Sequence, residues 1–115
     1  MTNVLADVIV WSDVCSFDAL IPGRGRAALI GDEQIALFRL PDDSLYAIAN
    51  LCPFSDAQVM SRGIVGTKGD VAKVASPIFK QNFDLATGAC LDDPSVSIAT
   101  YPVRVVAGRV EIGTS

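Results

Sequence analysis

Among the 115 residues there is not one histidine. That absence removes the Ser-His-Asp and Cys-His arrangements of nucleophilic catalysis, and every metal site built on imidazole. Basic residues are few, nine against thirteen acidic, giving a formal charge of −4 with no block or stripe of one sign. A nucleic-acid partner is therefore not expected, because phosphate contacts need concentrated Lys and Arg. No apolar run approaches the ~20 residues that cross a bilayer, so no membrane partner is expected either. The first residues lack the basic start, long apolar run and small-residue cleavage site of a secretion signal. Three cysteines at irregular spacing do not make a disulfide framework. A cytoplasmic location is the expectation. Helical periodicity is scarce, confined to Ser16 to Leu20, where Ser16 is expected to cap one short turn ahead of Pro22.

What is present points to strands. Val8 to Trp11, Ala27 to Ile30, Gln34 to Leu40, Leu45 to Ala49, Tyr101 to Val106 and Arg109 to Ile112 are short runs rich in β-branched or aromatic residues, or alternating apolar with polar ones. Gly31-Asp32-Glu33 and Ala107-Gly108 read as hairpin connections, and Pro41 to Ser44 as a turn. The spacing predicts an all-β antiparallel sandwich or incomplete barrel, and the length a single domain over residues 1–115. Half the residues are apolar and only 19% charged. That balance fits a core-rich β fold, and equally a surface completed by a partner chain.

Residues 50–87 have a different texture, with Pro turns, clustered glycines and Cys52 near the start. They read as a loop-dominated lobe inserted in the sheet body, the kind of segment that carries function on a rigid scaffold. Residues 50 to 84 carry a net charge of +1 and the remainder −5. Pro22-Gly23-Arg24-Gly25-Arg26 has the look of a phosphate loop but lacks the third glycine and the following helix, so it reads as a turn feeding a strand. The pairs Asp42-Asp43 and Asp92-Asp93 lie in turn sequence, where aspartate serves the backbone.

Taken in order, Leu45 to Pro53, Ser76-Pro77, Asn82 to Leu91 and Tyr101 to Val105 resemble Rieske-type domains, from about Asp7 to Ile112. Ser61-Arg62-Gly63-Ile64-Val65-Gly66 and Val74 to Gln81 are similar to a branch of that superfamily, the small subunits of assimilatory NAD(P)H nitrite reductase. A Rieske centre uses two Cys and two His. The resemblance puts Cys52 and Ser76 at the cysteine positions and Phe54 and Phe79 at the histidine positions. One thiol and one hydroxyl do not hold such a cluster, and a phenyl ring has no lone pair to offer iron. No cofactor, metal or catalytic residue is therefore expected on this chain.

The resemblance implies a large catalytic subunit as partner. That subunit would carry FAD, sirohaem and an iron–sulfur cluster and reduce nitrite to ammonium. Phe54 and Phe79 are expected to fill the space of the missing cluster, or else to pack against the partner. Pro53, Arg62, Ile78 and Lys80 are the interface candidates. Cys52 is read as a small packed residue. Two alternatives stay open. One is a Rieske-type ferredoxin with altered ligands or a redox-active thiol pair such as Cys52 and Cys90. The other is a binding module for a different oxidoreductase.

Overall fold

A computed structural model describes residues 9–78 and 80–114. Its strands are β1 (Val10–Ser16), β2 (Arg24–Ile30), β3 (Glu33–Arg39), β4 (Leu45–Ala49), β5 (Ile64–Lys68), β6 (Val71–Ala75), β7 (Asn82–Asp84), β8 (Thr100–Tyr101), β9 (Val103–Val106) and β10 (Arg109–Thr114). They form three antiparallel sheets, ordered β1-β10-β9, β2-β3-β4-β8 and β5-β6-β7. The all-β antiparallel fold expected from the strand runs is the one observed.

The middle sheet is packed on both faces, and β3 shows why. Ile35, Ala36, Leu37 and Phe38 are all completely buried, a continuous apolar run of the kind a two-sided strand needs. Ile35 and Leu37 join Cys15, Leu20, Ala28, Ala47, Val110 and Ile112 in one core against the β1-β10-β9 sheet. Ala36 and Phe38 point the other way and join a second core with Ile48, Cys52, Met60, Val74, Phe83 and Leu85. Each large side chain so buried contributes about 1.5–3 kcal/mol of apolar transfer. The lobe is thus held against the sheet by a core of its own.

Three expectations need correcting. The first strand runs from Val10 to Ser16, not Val8 to Trp11 (Val8 lies outside the described residues). Pairing with β10 carries it onward, and a register shift between Asp13 and Cys15 turns Cys15 into the core. Ser16 precedes the expected short turn, a 3-10 turn at Phe17–Ala19, but makes no side-chain cap. Arg39 ties that segment down instead: its guanidinium donates to the Leu20 carbonyl at 3.0 Å and stacks 4.0 Å from the Phe17 ring centroid.

Tyr101 to Val106 is not one strand either. Tyr101 pairs with Ala47 and Val103 with Ile112, so the chain changes sheets at Pro102, a residue that cannot donate to a ladder. Residues 50–87 are rich in loops as expected, but they also hold the whole β5-β6-β7 sheet. Gly31-Asp32 and Ala107-Gly108 do form tight turns, with Glu33 already paired to Ile30.

Candidate functional site

Two loops face each other in the lobe, one after β4 and one between β6 and β7, and their backbones close in the same way. In the first, the Asp56 N–H donates to the Cys52 carbonyl at 2.8 Å and the Cys52 N–H to the Ala57 carbonyl at 2.8 Å. In the second, the Lys80 N–H donates to the Ser76 carbonyl at 3.0 Å and the Ser76 N–H to the Gln81 carbonyl at 2.9 Å. The residue four places on takes a left-handed conformation in both, Asp56 at φ 59° and Lys80 at φ 63°. The matched closures set the two lead side chains face to face.

Cys52 Sγ and Ser76 Oγ lie 3.2 Å apart, hydrogen-bonded and buried. Burial pushes the Cys52 thiol up, but the Ser55 and Ser76 hydroxyls and the backbone N–H groups of Ser55 and Phe54 outweigh it, leaving the thiol below its ordinary range. Of the two hydroxyls, Ser76 has the clear hydrogen-bond geometry; Ser55 Oγ, itself buried, has no partner among the described residues, and neither has Gln81 Oε1. Both orphan atoms belong to the two facing loops.

Phe54 is half-buried against the lobe core, its ring centroid 6.1 Å from that of Phe83. Phe79 lies outside the described residues. Pro53, Ile78 and Lys80 are exposed at the outer rim of the loops, and Arg62 is exposed at the end of a 3-10 turn, Met60–Arg62. Asn50, almost fully buried, holds that turn to the end of β4: its carbonyl accepts from the Met60 N–H at 2.9 Å and its Oδ1 from the Ser61 N–H at 2.7 Å. The structure therefore brings Cys52, Phe54 and Ser76 together and leaves Arg62 apart from them.

Elsewhere the chemistry is structural. Asp42 Oδ1 accepts from the Ser44 hydroxyl and N–H at 2.6 and 3.0 Å, and Asp93 Oδ1 from those of Ser95 at 2.6 and 3.1 Å. These turns hold both carboxyls below their ordinary values, chiefly through the serine hydroxyls. Cys15, Cys52 and Cys90 are free and buried. With every thiol inside a core, a thiol reagent added to native protein is expected to titrate none rapidly, and all three after denaturation.

Sequence reading missed one pairing that the fold makes. Gly25 sits against the Ser61 carbonyl so closely that a Cβ there would clash with it, and would lie 2.6 Å from Phe38 Cε1. This brings Gly23-Arg24-Gly25 beside Ser61-Arg62-Gly63. The two segments share no more than an Arg-Gly step, which carries no signal that they touch.

Residues 10–113 match the Rieske-like [2Fe-2S] domain family. The chain is 41% identical over 103 residues to the nitrite reductase (NADH) small subunit of Escherichia coli strain K12, covering 89% of this chain and 95% of that one. It superposes with a TM-score of 0.92 on a crystal structure described as an NADH-dependent nitrite reductase small subunit from Mycobacterium tuberculosis. That structure is 53% identical, with 95% of this chain and 98% of the other covered. A third relative, named the large subunit of NAD(P)H nitrite reductase from Klebsiella oxytoca, is 40% identical over 103 residues; these span 90% of this chain and 11% of that one.

The family's cluster does not suit the side chains present. Of the four positions two are phenylalanines, and the remaining thiol and hydroxyl are bonded to each other in the interior. Among the described residues no group of three or more His, Cys, Asp or Glu is placed to hold a metal ion.

Proposed function

The chain belongs to the Rieske-like [2Fe-2S] domain family and, within it, to the nitrite reductase small subunits, and from that membership we propose that it is a non-redox subunit. It binds and supports a large catalytic subunit that reduces nitrite to ammonium with electrons from NAD(P)H, in nitrate assimilation in the cytoplasm. FAD, sirohaem and an iron–sulfur cluster belong to that partner. The observation carrying the non-redox reading is the buried 3.2 Å contact between Cys52 and Ser76, which joins the only thiol and hydroxyl at the four ligand positions. The partner reading is supported by the Klebsiella oxytoca chain, where the matching segment is part of a polypeptide named as the large subunit. No helix among the described residues is long and apolar enough to cross a membrane.

Two measurements on one preparation test this. Tagged chain purified from cells that also express the large subunit is expected to bring down a sirohaem-containing protein. The same chain purified alone is expected to be colourless and free of iron. Visible absorption of iron–sulfur type, lost on chelation under reducing conditions, would favour the rival electron carrier instead.

A further inference from the structure

β2 ends the middle sheet, with β3 on one side and no strand on the other among the described residues. An open edge is normally guarded by charge, proline, a bulge or brevity, because its free N–H and C=O groups pair with any extended chain. Here the guards stand only toward the ends. Pro22 precedes β2, Arg24 and Arg26 occupy its first half, and Asp32 lies in the turn that follows. Between Arg26 and Asp32 the run Ala27-Ala28-Leu29-Ile30-Gly31 holds neither charge nor proline. All seven residues of β2 pair with β3 in unbroken register, so no bulge turns the edge away. Leu29 is 71% exposed in the middle of this run.

The ladder fixes which backbone groups face outward. The Asn50 N–H donates to the Gln34 carbonyl, so Gln34, and by alternation Ala36 and Phe38, turn their backbone groups toward β4. Ile35 and Leu37 turn theirs toward β2, where they stand opposite Ala28 and Arg26. Gly25, Ala27 and Leu29 are left with N–H and C=O pointing away from the sheet. The Ser61 turn lies against Gly25. The outward groups of Ala27 and Leu29 have no backbone partner among the described residues. Two such residues, two places apart, are the repeat unit of an antiparallel ladder.

This edge is complementary to itself. Turned about a two-fold axis at Ala28, a second β2 sets Ala27 opposite the partner's Leu29 and Leu29 opposite the partner's Ala27. The two pairs use all four outward groups and close four main-chain hydrogen bonds. The same placement carries Arg24 to the partner's Asp32, with Arg26 one diagonal step away. Arg24, Arg26 and Asp32 are exposed, and none has an ion pair among the described residues. A strand basic at its start and acidic just past its end matches its own copy only when the two run antiparallel. Guarding against mispairing would suit the two arginines, but it leaves the uncharged run and the exposed Leu29 without a cause.

We propose that β2 pairs with β2 of a second copy, joining two four-stranded sheets into one across a two-fold homodimer. The inference is independent of the subunit reading above. A contact along one short edge is small beside the roughly 1,200–2,000 Å² of stable interfaces, so the dimer is weak, with a Kd of the order of 0.1 mM.

Sedimentation equilibrium of the full chain from about 10 µM to about 1 mM tests it, alongside Ala27→Pro, Arg24→Asp, Asp32→Arg and the combined charge swap. Ala27→Pro removes an outward N–H that β3 does not use, a change edge strands accept, and thermal melts check that each variant folds. Wild type is expected to shift from monomer to dimer across the range. Ala27→Pro should weaken the dimer at least about tenfold. Each single charge reversal should weaken it about threefold at low salt, and the swap should restore it to within about twofold. A wild type still monomeric at the highest concentration would overturn the proposal. So would a dimer indifferent to Ala27→Pro and to both reversals, or reversals that the swap does not rescue. A monomeric wild type whose binding to the large subunit is lost in Ala27→Pro would assign the edge to a strand of that subunit, and the homodimer would fall.

Discussion

Phe83→Ala is expected to destabilise the protein by about 3–5 kcal/mol, the largest effect of any single truncation in the lobe. Phe83 is completely buried, pairs across the sheet with Val74, bridges to Cys90 and packs on the Phe54 ring. Its removal leaves a cavity where β7 meets the second core, walled by backbone on the sheet side and unable to collapse fully. Urea titration should show the midpoint falling in proportion, while Phe83→Leu, which keeps most of the volume, should cost about 1 kcal/mol. A loss below that for the alanine variant would mean the lobe does not depend on this ring. Because Phe54 rests on Phe83, the same substitution is also expected to loosen the first of the two facing loops, readable as faster amide exchange there.

Gly88→Ala should be nearly as damaging, for a different reason. Gly88 has φ 80°, a conformation that costs an L residue roughly 1 kcal/mol. Here a Cβ would also collide with the Ile98 carbonyl oxygen and lie 3.1 Å from Thr100 Cγ2. The backbone cannot simply retreat, because the Ile98 N–H donates to the Gly88 carbonyl at 2.8 Å and the Gly88 N–H to Asp84 at 2.7 Å. The combined cost is expected to be about 3 kcal/mol, a fall in Tm of the order of 10 °C. Gly108→Ala isolates the two causes. Gly108 has φ 77° but open space where a Cβ would go, so only the conformational part should appear. If both variants melt together, the collision with Ile98 plays no part.

Sequence pattern located the sheet body well, because β3, β4 and β10 carry runs whose burial follows directly from their composition. It failed in the lobe, where glycines and prolines hide the alternation. Ile64 to Lys68 and Val71 to Ala75 are joined by Gly69-Asp70, with Lys68 paired to Val71 and Gly69 at φ 62°. That is a two-residue hairpin turn of a recognised type, so the signal existed but was masked by the surrounding glycines. β7 gave less warning, since three residues, Asn82-Phe83-Asp84, form a strand only because Phe83 is drawn into the core. The meeting of Cys52 and Ser76 was legible through their resemblance to a known frame. The approach of Gly25 to Ser61 was not, because no local pattern in the chain reveals that they touch.

The twin loops bear on how the chain reaches its folded state. In many metal-binding domains the ion is what closes the coordinating segments, and those segments stay unformed until it arrives. Here each loop is latched by its own main chain, through one inward and one outward hydrogen bond and a single left-handed residue. On the non-redox reading proposed above, maturation follows chain synthesis, with no waiting on iron supply or a cluster-delivery apparatus. A lineage whose loops are latched this way can exchange the side chains inside them without forfeiting the architecture that displays them.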